Sequence, residues 1–397
     1  MRVAIVASSF LPERGRLERR VAQLAHGLAR RGAEVEILTQ GPARATLREC
    51  QGLNVRRFPG AVGPVRVSVA PQLWERLRSM SEAYDVVDVH CRRPALALAA
   101  ARAGARRLVL TPGAPMDAFC GWPYTRAMHS LVGAAAQIVC HSELDRDLLC
   151  QTVPTAAERT RVLPDGVDAE ALRAAHPFDT EDIVVLAVDR LDRGTGVGRA
   201  IAAMPGLGSE YRLVVVGDGP ARTRLSAYAA DLGISSRVQF AGAVPDAILY
   251  RWLRTARVVV ALADERGSGS QVTEARAAGV PVVASDLPGH RRAAEGPGAG
   301  HVIFVTPKGS PLDVADAIEI AADEAARVSV LPTAQALTSP APTWESVIDS
   351  TALLYQQLTE RPHGAAIGRG AAIGHGAAGA VELAARSVEL GGGPQWP

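Results

Sequence analysis

Val258-Val259-Val260-Ala261-Leu262, then Arg266-Gly267-Ser268-Gly269-Ser270-Gln271-Val272-Thr273-Glu274, then Ala278-Gly279-Val280-Pro281-Val282-Val283-Ala284-Ser285: this stretch decides the reading of the fold. A short, wholly apolar, β-branched run is what a parallel strand buried on both faces requires. Here one such run leads through a Gly/Ser-rich loop and a helical interval into a second, which is the pattern of a strand–helix–strand unit. Gly267 and Gly269 permit backbone conformations closed to other residues. The free N–H groups of the following helix's first turn, with the helix dipole, form an anion site suited to a diphosphate. A plain strand-to-helix turn is the alternative reading of the same residues.

Working outward, Ile183–Val188, Leu213–Gly217 and Val238–Ala241 are further strand-like runs with helical intervals. The amino-terminal half has the same rhythm, with Val3–Val6, Val35–Thr39, Asp85–His90, Leu108–Thr111 and Ile138–His141 as strands. A helix is expected from about Glu18 to Arg31, because Val21, Leu24, Ala25 and Leu28 recur at helical spacing before Gly32. The fold class expected is therefore α/β, with two Rossmann-like doubly wound domains facing across a cleft and ligands outside the carboxyl ends of the strands. The expected division is 1–170, 171–342, a helix within 343–362 packing back toward the first domain, and a low-complexity disordered tail at 363–397.

Composition narrows the function. The chain has 397 residues, 48% hydrophobic and 21% charged, which suits two soluble domains. Its 43 basic and 41 acidic residues leave a net charge of +2, which argues against a nucleic-acid binder. Lys308 is the one lysine, and no Gly-Lys-Ser/Thr exists, which excludes a phosphate-loop NTPase. Five cysteines without a CxxC pair make a zinc site or a disulfide framework unlike this chain, and reduced cytoplasm is the expected location. No run reaches the roughly 20 apolar residues that span a bilayer. Residues 3–18 contain no GxGxxG, so a dinucleotide-dependent oxidoreductase is disfavoured.

Several segments, in order, resemble the GT-B glycosyltransferases of family 4. Gly15-Arg16-Leu17-Glu18 stands where the family has Gly-Gly-x-Glu, and Pro164-Asp165-Gly166-Val167-Asp168 where it has Pro-Asn-Gly-Val-Asp. Asp189-Arg190-Leu191 stands for Gly-Arg-Leu, Gly217-Asp218-Gly219-Pro220 follows, and Arg266–Glu274 stands for the family's Glu-x7-Glu block. The resemblance covers roughly 1–360. It implies a nucleoside-diphosphate sugar as co-substrate, transfer with retention, a small-molecule acceptor, and neither a metal nor another cofactor. GDP and UDP are not distinguished, and a homodimer is left open.

On that resemblance, the donor site comprises Gly15, Arg16, Asp189, Arg190, Thr195, Val244, Arg266, Gly267, Ser268, Gly269, Ser270, Gln271, Val272 and Glu274. Arg190 bridges the diphosphate and stabilises the leaving group's charge, and Glu274 accepts from the ribose hydroxyls. His90, with Arg190, is the catalytic candidate. His90, Gly113, Met116 and Trp122 are the acceptor-side candidates. Four positions depart from the family. Arg16 replaces a Gly, Gly113 a His beside C6 of the donor sugar, Thr195 a Lys, and Arg266 the first Glu. Arg16 is expected to supply the charge missing at Thr195, and Gly113 to leave room beside C6. An unusual donor sugar (C6-extended, deoxy or amino) of natural-product, antibiotic-type biosynthesis follows as the expectation. A catalytically altered homologue that binds a partner, and a sugar-nucleotide epimerase, are the alternatives. Arg19, Arg20, Arg30 and Arg31 are either a lipid-facing patch or a solvated face.

Overall fold

The apolar runs form two all-parallel sheets. The computed structural model describes residues 1–13, 15–41, 52–59, 70–79, 83–91, 94–105, 107–113, 125–192, 195–264, 267, 269–295, 300–328 and 342–360. The first sheet contains β1 (Arg2–Ala7), β2 (Glu34–Gln40), β3 (Val55–Phe58), β4 (Val86–Cys91), β5 (Leu108–Pro112), β6 (Gln137–Cys140) and β7 (Thr160–Val162). Their order is β3-β2-β1-β4-β5-β6-β7. The second contains β8 (Ile183–Val188), β9 (Tyr211–Val216), β10 (Val238–Gly242), β11 (Val258–Ala261), β12 (Val282–Ser285) and β13 (Val302–Val305), in the order β10-β9-β8-β11-β12-β13. The strand order reverses direction beside β1 in one sheet and beside β8 in the other. In open α/β sheets such points open a crevice at the carboxyl ends of the strands.

Helices cover both faces. In the first half they are α1 (Arg16–Arg30), α2 (Pro71–Ser79), α3 (Pro94–Arg102), α4 (Thr125–Ala134), α5 (Glu143–Thr152) and α6 (Ala169–Ala174). In the second they are α7 (Val197–Ala203), α8 (Arg222–Asp231), α9 (Asp246–Thr255), α10 (Ser270–Ala277), α11 (Pro288–Glu295), α12 (Pro311–Val328) and α13 (Trp344–Glu360). Strands β8 and β12 have the bounds expected from sequence. The edge strands β3, β7 and β13 were not expected. Edge strands pair on one side only, so β3 tolerates Arg56 and Arg57 and lacks the apolar signature.

The last helix crosses back onto the first sheet. Trp344, Ile348 and Tyr355 share an apolar cluster with Ile5 and Val21. The crossing is close because α1 presents Gly27, where a Cβ would overlap Ile348 Cδ1. Arg107 anchors the end of α13, its Nε donating to the Leu358 carbonyl at 2.7 Å. Arg30 and Arg31 also bind α13, through Glu345 at 3.0 and 2.6 Å. On α1, Arg30 stays largely exposed beside Glu345, whereas Arg19 and Arg20 are engaged at the cleft as described below. Among the described residues no helix is long and apolar enough to cross a membrane. Residues 363–397 lie outside the described residues.

Candidate functional site

A cavity of about 680 Å³ lies between the carboxyl ends of the two sheets. From the first sheet it is lined by the turn after β1 and the start of α1, including Gly15, Arg16 and Arg19. From the second it takes Asp189 and Arg190 after β8, Val244 and Asp246 after β10, and Ser270, Gln271 and Glu274 from α10. The second group comes from successive strand ends, which is why residues some 80 positions apart meet there.

The start of α10 is fixed from two directions. Gly269, which precedes its first residue, has φ 74°, the left-handed region that a β-carbon resists. The Gln271 side chain donates through Nε2 to the Val188 carbonyl at 3.0 Å, tying the helix to the end of β8. The first turn thereby faces the cavity with Ser270 and Gln271, and Glu274 projects from the next turn. Arg190 is half-exposed, and its Nε donates to Asp192 at 2.8 Å. The Arg190 backbone N–H donates to Asp189 Oδ1 at 2.8 Å. Burial raises the Asp189 carboxyl to about 6 despite that hydrogen bond, with Asp192 adding to the rise.

The α1 side is a charged network. Arg19 Nη2 bridges the cleft to Glu274, and its Nη1 lies 3.9 Å from Asp246. Burial alone would lower the Arg19 pKa, but Glu274 and Asp246 outweigh it and hold the guanidinium above its ordinary value. Asp165, in the segment joining the two sheets, accepts from Arg16 Nε and from Arg20 Nη1, the latter at 2.7 Å. Burial would raise the Asp165 pKa, but Arg16, His141 and Arg20 hold it well below the carboxylate range. Burial, then Arg20 and Arg16, push His141 well below its ordinary value. The neutral ring donates through Nε2 to the Pro112 carbonyl at 2.8 Å.

Gly15, Arg16, Asp189, Arg190, Val244, Ser270, Gln271, Glu274 and Gly113 thus line one cavity. Others are placed elsewhere. Val272 is fully buried in the apolar cluster beneath the second sheet, on the face of α10 away from the cavity. Thr195 does not line the cavity, and its hydroxyl donates to the Asp192 carbonyl at 3.1 Å. Gly267 packs on His290, where a Cβ would overlap the ring. His90 is 2% exposed, with Nε2 3.1 Å from Asp88 Oδ2, and takes no part in the cavity wall. Asp88 accepts there from Thr111 at 2.9 Å and from the Tyr355 hydroxyl as well. This is a core network that ties α13 to β4. Gly113 does not open room beside a sugar, because a Cβ there would overlap Leu17 Cδ1, which already fills the space. Met116, Trp122, Arg266 and Ser268 lie outside the described residues. Arg19, Asp246 and Asp165 were not expected at the site. Only the Asp165 substitution within Pro164–Asp168 carried a signal for them. No group of three or more His, Cys, Asp or Glu side chains gathers to hold a metal among the described residues.

The comparisons with known proteins follow this geometry. Residues 17–171 match the model described as Glycosyltransferase Family 4, and residues 168–329 match Glycosyl transferases group 1. A D-inositol 3-phosphate glycosyltransferase of Acidothermus cellulolyticus is 27% identical, over 72% of this chain and 76% of its own. A 2-deoxystreptamine glucosyltransferase of Streptomyces kanamyceticus is 28% identical, over 64% of this chain and 66% of its own. Among solved structures, Anabaena HepE in complex with UDP and glucose superposes with a TM-score of 0.70 at 19% identity, over 89% of this chain and 99% of that one. The two family models meet at the segment that joins the two sheets, one on each side of the cavity. The chain belongs to the family 4 glycosyltransferases of GT-B fold, enzymes that take sugar from a nucleoside-diphosphate donor.

Proposed function

We propose that this enzyme moves a hexosyl or modified-sugar unit from a nucleoside-diphosphate sugar to a small-molecule acceptor, with retention, in a natural-product pathway of antibiotic type. The observation that carries the reading is the joint placement of Arg190, the first turn of α10 and Glu274 around one interlobe cavity. A guanidinium and a helix start suit a diphosphate, and a carboxylate one turn further suits paired ribose hydroxyls.

In this reading the acceptor hydroxyl attacks the sugar's anomeric carbon on the face the diphosphate leaves. The carbon–oxygen bond to the terminal phosphate breaks and the bond to the acceptor oxygen forms. The acceptor's proton passes to the departing phosphate oxygen. Arg190 stabilises the charge that develops on that oxygen, and its advantage is largest in a site shielded from bulk water. No side chain acts as a nucleophile, and His90 stays in the core network.

The choice of donor sugar rests on the wall near Gly113. There Leu11 and Leu17 line the cavity, both 4% exposed, and Leu17 covers Gly113. An apolar, filled wall supports a deoxygenated sugar over one with an extended C6 arm. The 2-deoxystreptamine glucosyltransferase among the relatives supports an aminocyclitol-like acceptor.

The test is a matrix of donors and acceptors read by mass spectrometry, with the anomeric configuration of any product read by NMR. The donors are UDP-glucose, GDP-mannose and TDP-linked deoxy sugars, and the acceptors are 2-deoxystreptamine and inositol phosphate. Transfer from a deoxy donor in preference to UDP-glucose and GDP-mannose, with configuration kept, is the expected result. Efficient use of UDP-glucose or GDP-mannose overturns the choice of sugar. An inverted product overturns retention.

A further inference from the structure

We propose that Arg16 and Arg190 form a clamp for the donor's terminal phosphate that draws one guanidinium from each lobe, with Asp165 as the residue that positions Arg16. This deepens the donor-binding reading above and rests on it.

The two arginines are held in the same way on opposite walls. Arg190 Nε is fixed by Asp192, and Arg16 Nε is fixed by Asp165. In each case neither Nη atom makes a hydrogen bond among the described residues, and both residues line the cavity. A guanidinium pinned at Nε keeps its plane while offering the Nη edge, the geometry in which it meets phosphate oxygens in pairs. Arg19, the third guanidinium on the wall, is the contrast. Both of its Nη atoms are directed at carboxylates, Glu274 and Asp246, so it has no such edge to offer.

Asp165 is suited to hold Arg16 and poorly suited to cancel it. It is shared between Arg16 and Arg20, whose side chain is 3% exposed and also donates to the Pro164 and Leu163 carbonyls. Two guanidiniums share this one carboxylate, so it does not neutralise both, and Asp145 and Glu274 act on Arg16 more weakly. Arg20 is sealed in, whereas the Arg16 side chain is 34% exposed toward the cavity. Arg16 is therefore the one of the pair open to a ligand. On the opposite wall, Thr195 faces Asp192 and supplies no cation. A phosphate held by residues 16 and 190 together ties α1 to the end of β8.

Calorimetric titration of the full chain with the diphosphates and monophosphates of uridine, guanosine and thymidine tests this. For whichever nucleotide binds, Arg16→Gln is expected to lower the diphosphate-to-monophosphate affinity ratio about tenfold, the loss of one charge-assisted hydrogen-bonded contact. Asp165→Asn is expected to lower the same ratio without touching the ligand. Arg16→Lys, which keeps the charge but has no Nε to be held, is expected to restore only part of it. A melting curve for Arg16→Gln close to that of the unaltered chain establishes that the variant is folded. An unchanged ratio in Arg16→Gln overturns the clamp while leaving the donor reading intact. Equal losses for diphosphate and monophosphate overturn it in favour of a structural role. Failure of the unaltered chain to bind any of the nucleotides overturns the donor reading and the clamp with it.

Discussion

Strand β4 in the first sheet carries Asp88 and His90 at 2% exposure each, whereas the central strands β8 and β11 of the second carry no polar side chain at all. The contrast extends outward. Buried polar groups in the first half include Glu18, Arg20, Glu36 and Thr111, and in the second only Ser285, His290 and Thr351 among the described residues, the last on α13, which packs on the first sheet. Both sheets are parallel and both are covered by helices, so secondary structure does not account for the difference. The first sheet is where the joining segment at Asp165 and the returning helix α13 dock, each through a hydrogen-bonded side chain. Buried polar contacts specify one geometry at a cost in desolvation, while a dry core tolerates several packings. The second lobe is thus an apolar platform with its chemistry at the strand ends. The first is keyed by polar contacts to the segments that join the lobes.

The largest effect expected belongs to the platform's rim. Arg190→Ala should reduce turnover about 100-fold or more, the scale of losing one preorganised transition-state contact. Its unfolding midpoint should stay unchanged, because the residue is half-exposed. A loss of stability without a loss of turnover would reverse the assignment of chemistry to this rim.

Next is the polar key. Asp88→Ala strands the Tyr355 hydroxyl, Thr111 and His90 without their acceptor and should lower stability by about 3 kcal/mol, read by urea unfolding. Tyr355→Phe should cost about 1 kcal/mol on its own. Combined with Asp88→Ala it should add almost nothing, since the two groups are coupled. Additive losses would mean that α13 is not tied to β4 through this carboxylate.

Asp189 sharpens the comparison by pH. Its carboxyl is raised from 3.8 to about 6 by burial, so the folded chain holds a proton that the unfolded chain releases in that window. The resulting stability is fully present below about pH 4 and is lost as pH rises through 6. Asp189→Asn removes the charge, so the variant should match the parent near pH 4. It should exceed the parent by about 3 kcal/mol at pH 7, measured by denaturant midpoints at each pH. No growth of the difference with pH would place Asp189 in a wetter site than the cavity wall.

The smallest effect lies on the outer face of α13. Glu345 pairs with Arg30 and Arg31 but is 63% exposed, so Glu345→Ala should shift stability by less than about 0.5 kcal/mol. A larger shift would mean that this helix is held to α1 by charge as well as by the Gly27–Ile348 contact.

Much of the second lobe could be read directly from the chain. The runs Ile183–Val188 and Val282–Ser285 are apolar throughout, since both faces of a parallel strand are covered, and such runs have sharp ends. Arg190 and Glu274 were legible through the family resemblance of the Asp189–Leu191 and Arg266–Glu274 segments, and both line the cavity. The first lobe was less legible. Arg56 and Arg57 hide β3, and His90 reads as a candidate for chemistry although it is a core group on Asp88. Gly113 reads as open space although Leu17 fills it.

What the sequence determined by itself is the repeating period of buried strand and helix, the Gly-rich entry to α10 and the residue types at the strand ends. These are local properties, set by neighbours a few positions away. The partners of the charged side chains were decided only in three dimensions. Arg16 meets Asp165 across 149 positions, and Arg19 meets Glu274 across 255. No periodicity encodes such a pairing, because a guanidinium takes whichever carboxylate the docking of two sheets brings within reach, and that docking is a property of the whole chain.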